Sequence, residues 1–249
     1  MLNNKLLCLK KEKNMPKMIV SDYDKTFYLN DKDIEKNKLL VNQFREKDNI
    51  FVIATGRSYL DFQEEVDKYN LKYDYALINH GSTIINRNNE VLCNFLITND
   101  IIKDIKKDLE LAKTKFYFCC SKLESRVNFE HLDLTKIAIV YNNDINIKKI
   151  SNKINNKYQE VISYIINDNM LEIISKDINK SKSIKLLSNY LKINKKNIYT
   201  IGDGYSDINM IKDYNGYAME NSVVELKNVA KKEYSCVSEM IMELLDNEI

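Results

Sequence analysis

The chain has 249 residues, and its 38 Lys and Arg against 36 Asp and Glu leave a net charge of +2. That length holds an α/β core plus a smaller unit, while so even a balance makes no electrostatic case for a nucleic-acid partner. No apolar run reaches the ~18 residues that span a membrane, and the opening M-L-N-N-K-L-L-C-L-K-K-E-K-N has the wrong order of regions for a secretory signal.

Residues 1–14 read as a disordered N-terminal extension ahead of the first strand, at 18–21. A helix over 33–48 follows, with Ile34, Leu40, Val41 and Phe44 on one face. Next come a buried strand at 50–54, a helix at 58–69 that Ser58 would cap, and a strand at 75–78. This βαβαβ order predicts a Rossmann-like parallel sheet with helices on both faces.

The rhythm then changes. Runs at 83–86 and 91–95 flank the turn Arg87-Asn88-Asn89-Glu90 and read as a hairpin. A helix over 100–113, strands at 115–120 and 136–141, a helix from Ile147 and strands at 161–166 and 170–174 complete an α/β unit with an antiparallel sheet. Winding resumes with a helix at 180–191, a strand at 197–201, a short helix at 207–212 and a strand at 216–219. The expected organisation is a discontinuous core of residues 15–82 and 176–249, with residues 83–175 inserted as a cap. Five cysteines lack a C-x-x-C spacing, and their odd number favours reduced core thiols and a cytoplasmic location.

Chemistry concentrates where apolar runs stop. I-V-S-D-Y-D-K-T places Asp22 and Asp24 two apart at a strand end, so both face one side of an extended chain. One carboxylate can attack phosphorus while the other handles protons. Thr55-Gly56-Arg57-Ser58 follows the second strand and opens a helix, as an anion seat would. Lys180 and Lys182 open the helix after the insert, and Gly202-Asp203-Gly204-Tyr205-Ser206-Asp207 follows a later strand. Asp203 is placed to bind a cation and Asp207 to support it or start a helix. Each segment alone also fits an ordinary turn or cap; their order along the chain is what points to magnesium-dependent phosphoryl transfer.

In that order, D-x-D, then T-G, then Lys, then G-D-x-x-x-D, the chain resembles the haloacid dehalogenase superfamily of phosphohydrolases from Lys17 onward. The insert makes it similar to the Cof-type branch, which carries a large α/β cap. The resemblance implies that Asp22 is the nucleophile and Asp24 the general acid/base. Thr55, Gly56 and Lys180 would hold the phosphoryl group. Magnesium would be held by the Asp22 and Asp203 carboxylates and the Asp24 carbonyl, with Asp207 assisting. Lys25 stands where the family has Gly, Ser206 where it has Asn, and His80 separates Asn79 from Gly81 where an Asn-Gly pair is usual. The implied substrate is a small phosphorylated metabolite, a sugar phosphate or nucleotide-related phosphate, with no nucleic acid, membrane or obligate protein partner. A sugar phosphomutase and a weakly active phosphate-binding regulator are the alternatives. His131 and Arg126 read as an ordinary exposed loop of the cap.

Overall fold

The computed structural model describes residues 15–246, so the extension expected over residues 1–14 lies outside them. The core opens with β1 (Met18–Asp22), α1 (Asp31–Glu46), β2 (Ile50–Ala54), α2 (Tyr59–Tyr69) and β3 (Tyr75–Ile78). The hairpin β4 (Thr83–Asn86) and β5 (Val91–Asn94) follows. The chain returns to the core through α5 (Lys180–Leu191), β11 (Ile198–Gly202), α6 (Ile208–Asp213), β12 (Asn215–Met219), α7 (Val224–Lys227), β13 (Glu233–Tyr234) and α8 (Val237–Asp246). Between these stretches lie α3 (Asn99–Asp108), β6 (Thr114–Ser121), β7 (Glu124–Val127), β8 (Lys136–Tyr141), α4 (Ile147–Lys157), β9 (Val161–Asn167) and β10 (Met170–Ser175).

The core sheet has the order β13-β12-β11-β1-β2-β3-β4-β5. Its strands run parallel up to β3, and the β4–β5 hairpin adds two antiparallel strands at one edge. Alternation along β1 divides the core. Met18 and Val20 pack with Val52, Ile184 and Leu187 on one face, and Ile19 packs with Phe44, Phe51 and Ile241 on the other. Because both faces are covered, the central strands are buried and mostly apolar, with Ser21 and Thr200 as buried polar residues within β1 and β11. Polar side chains start the helices: Asn30 accepts from Lys32 and Asp33 N–H, Ser58 from Asp61 N–H, and Asn179 from Lys182 N–H.

The second sheet, β7-β6-β8-β10-β9, is antiparallel throughout. α3 and α4 cover one face, where Ile105, Ile150 and Ile154 meet Ile137, Ile139 and Ile173.

Three expectations change. The hairpin pairs with β3 and extends the core sheet, so the chain leaves the core after Asn94 rather than near Ser82. Ile84 and Ile85 anchor it in the two apolar layers of the core. The helix expected over 100–113 stops at Asp108 because Glu110 takes a left-handed φ of 49°, and a single 3-10 turn follows at Leu111–Lys113. The exposed loop expected around Arg126 instead includes β7, a short edge strand whose half-buried and exposed residues leave no apolar alternation to see.

Candidate active site

β1, β2, β3 and β11 run parallel, so the residues after their C-terminal ends meet along one rim. Asp22 ends β1, Thr55 follows β2, Asn79 follows β3 and Asp203 follows β11. One carboxylate oxygen from each of Asp22, Asp203 and Asp207 lies within 4.8 Å of the other two. Residues far apart in the chain therefore share one cluster.

Lys180 is the cation within it. The Asn179 cap sets Lys180 in the first turn of α5, and its buried Nζ donates to Asp22 Oδ1 at 2.5 Å and Asp207 Oδ1 at 2.6 Å. The other oxygen of Asp207 accepts from the N–H groups of Asp203 (3.2 Å) and Gly204 (3.0 Å). Asp207 is thus occupied in shaping the loop and holding Lys180. Asp203 accepts from the Thr26 hydroxyl at 2.8 Å. Burial raises the Asp22 carboxyl well above the usual aspartate range; Lys180 opposes that, and Asp207 and Asp203 add to it. Asp203 is raised too, by burial first and by Asp207 next. Burial works against the Lys180 charge, yet Asp207 and Asp22 more than offset it and raise that group. Hard oxygen donors kept in excess of nearby positive charge fit a divalent cation that prefers oxygen.

Asp24 stands apart from this cluster. Its half-exposed carboxylate accepts from Arg57 Nε and Nη2 at 2.8–3.2 Å. Arg57 also pairs with Glu65 at 3.0 Å and lies over the Tyr23 ring, 5.2 Å from its centroid. Of the expected anion seat, Gly56 lines the cavity above the acids, while the buried Thr55 hydroxyl accepts from Arg57 N–H at 3.1 Å. A side chain at Gly56 has no room, since a Cβ there would sit 2.5 Å from His80 Cε1. Lys25, exposed at the cavity edge, adopts a left-handed φ of 63°, the conformation glycine takes without cost.

The turn Asn79-His80-Gly81 is held in positive φ at all three residues, 51°, 57° and 95°. Hydrogen bonds from Asn79 N–H to Arg57 O and from His80 N–H to Thr55 O, both 2.9 Å, tie it to the anion loop. His80 Nε2 contacts Glu172 Oε2 at 2.5 Å, and Lys136 Nζ donates to Glu172 Oε1 (2.8 Å) and to Gly56 O (2.7 Å). These three buried side chains join the second sheet to the core beside the cavity. The sequence singles out His80 only as a break in the Asn-Gly pair and does not single out Lys136, Glu172 or the contacts of Arg57. The visible signal is a charged residue that opens one apolar strand, K-I-A-I-V-Y, and another inside a second, M-L-E-I-I-S. His131 contacts Glu124 at 2.8 Å and Arg126 contacts Asp61 at 3.5 Å, both at the surface.

Among the described residues, no helix is long and apolar enough to cross a membrane. A protein of Buchnera aphidicola subsp. Schizaphis graminum, provisionally named a phosphatase, is 26% identical over 245 residues, covering 86% of this chain and 87% of its own. A HAD/COF-like hydrolase from Plasmodium vivax, provisionally so described, superimposes with a TM-score of 0.78 at 17% identity, covering 93% of this chain and 96% of its own. A phosphatase of the haloalkanoate (HAD) enzyme superfamily from Bacteroides thetaiotaomicron gives 0.73 at 17% identity, with 97% and 98% covered. The model of the haloacid dehalogenase-like hydrolase family matches residues 19–127 and 113–239, so the chain belongs to that family.

Proposed function

We propose that this hydrolase is a magnesium-dependent phosphatase that cleaves a small phosphorylated metabolite, a sugar phosphate or a nucleotide-related phosphate, through an aspartyl-phosphate. The observation that carries the reading is the buried Lys180 bridging Asp22 and Asp207, with Asp203 in the same cluster and a cavity of about 610 Å³ beside it.

An Asp22 oxygen attacks phosphorus, the P–O bond to the leaving group breaks, and Asp24 delivers a proton to the departing oxygen. Asp24 then takes a proton from water as the water oxygen attacks the phosphoryl group, and the bond to Asp22 breaks to release phosphate. Lys180 offsets charge on Asp22 and on the incoming phosphoryl oxygens. Gly56, which lines the cavity and carries no side chain of its own, would let those oxygens approach the backbone. Magnesium, held by Asp22, Asp203 and the Asp24 carbonyl, would neutralise phosphoryl charge and fix the donor geometry. Asp207 keeps the loop around Asp203 in place. The inserted unit acts as the cap that excludes water and contacts the leaving group.

The test uses a chromogenic aryl phosphate with magnesium, comparing the native chain with Asp22→Asn. Release of free phosphate by the native chain and its loss in the variant is the expected result. Equal rates in the two would remove Asp22 from the role, and phosphoryl transfer without phosphate release would favour a mutase.

A further inference from the structure

The face of the second sheet that lies over the acids differs from what a polyhydroxylated substrate would need. Phe118, Ala138, Glu172 and Tyr164 are direct neighbours across β6, β8, β10 and β9, and so share one face. Cys119, Ile137 and Ile173, one position along, form the opposite face in the interior of that unit. The cavity is walled by Phe118, Tyr164, Ile165, Ile166 and Met170 from this sheet.

The charged groups of the same wall are already used. Glu172 is bound by Lys136 and His80, and Lys136 spends another hydrogen on Gly56 O. Aromatic rings close both ends of that chain: Lys136 Nζ lies 5.9 Å from the Phe118 ring centre, and the His80 ring centre is 5.2 Å from that of Tyr164. The wall therefore offers a leaving group ring faces, a thioether and aliphatic surface. From this wall a sugar carrying many hydroxyls would gain only the Tyr164 hydroxyl in return for the water it loses.

We infer that the alcohol released from this site carries a flat, unsaturated ring that packs on Tyr164 and Met170, and that Tyr164 sets this preference. This rests on the phosphatase reading above and narrows it to ring-bearing monoesters. The size of the cavity, about 610 Å³, leaves room for such a group beyond the phosphoryl seat.

The experiment compares kcat/KM for benzyl phosphate and glucose 6-phosphate, both esters of primary alcohols, so that leaving-group acidity differs little. It uses the full chain with magnesium. The native chain is expected to favour benzyl phosphate by roughly tenfold, about the scale of a good aromatic contact. Tyr164→Ala should bring that ratio down severalfold, and Tyr164→Phe, which keeps the ring, should restore it. A preference for glucose 6-phosphate, or a ratio that Tyr164→Ala leaves in place, overturns the inference while leaving the phosphatase reading intact. If neither ester reacts and acetyl phosphate also fails to phosphorylate Asp22, the phosphatase reading falls and takes this inference with it.

Discussion

Arg57 holds Asp24 through Nε and Nη2, with three donor–acceptor distances between 2.8 and 3.2 Å. The side chain proposed for proton transfer is therefore anchored by the residue that follows Thr55 and Gly56. A misplaced general acid costs rate only where the leaving oxygen needs a proton. Arg57→Gln is expected to lower kcat on an alkyl phosphate about tenfold or more, with far less effect on acetyl phosphate, whose leaving group departs unprotonated. Steady-state rates on the two substrates check this. An equal loss on both would assign Arg57 to the phosphoryl seat instead.

Lys180 is the only side-chain cation hydrogen-bonded to Asp22 and Asp207 among the described residues. Removing one partner of a buried ion pair leaves an uncompensated charge, typically about 3–5 kcal/mol. Lys180→Ala should be destabilised on that scale without metal. Magnesium should return part of the loss, since a ligand at 100 times its Kd adds about 2.7 kcal/mol. Urea unfolding with and without magnesium measures both effects, and adding Asp203→Asn should abolish the recovery. Recovery that survives Asp203→Asn would place the ion elsewhere.

Much of the site was legible because its residues stop apolar strands. A buried parallel strand must end in residues that face the rim, and Asp22, Thr55 and Asp203 each follow such a run. Lys180 is legible only as one of two lysines opening the helix after the insert; the Asn179 cap that fixes its place is seen in the fold. What stayed hidden depends on pairing between distant segments. Glu172 and Lys136 look like isolated charges until β8 and β10 are set side by side, and His80 gains meaning only when Glu172 reaches it across the two sheets. The hairpin was visible as a hairpin, but its bonding to β3 is tertiary and leaves no local mark.

The Glu172 cluster gives a pH signature. Burial pushes its carboxyl up, but Lys136 and His80 outweigh that and bring it from an ordinary 4.5 to about 2. A depressed carboxylate stabilises the fold above its unfolded pKa, and that contribution drains away as pH falls toward the folded value. Glu172→Gln should therefore unfold more easily than the native chain at neutral pH. The gap should close between pH 4.5 and about 2. Denaturant midpoints across that range test the sign. A constant gap would mean that Glu172 acts through its shape alone.

Lys25 is a second local test. Its φ of 63° costs an L-residue roughly 1–2 kcal/mol, while glycine gives back about 0.5–1 kcal/mol through unfolded-chain entropy. Lys25→Gly should raise stability by up to about 1 kcal/mol, and Lys25→Val should lower it. Chemical denaturation of the two variants decides the matter. A destabilised Lys25→Gly would show that contacts of the lysine side chain outweigh its backbone strain.

The most direct measurement is to trap the covalent intermediate. Rapid quench of the chain with a phosphate ester and magnesium, followed by borohydride reduction, converts an aspartyl-phosphate to homoserine, and peptide mass spectrometry locates it. The account predicts homoserine at position 22 and none in Asp22→Asn. Homoserine at position 24 or 203, or turnover with no residue modified, would contradict it.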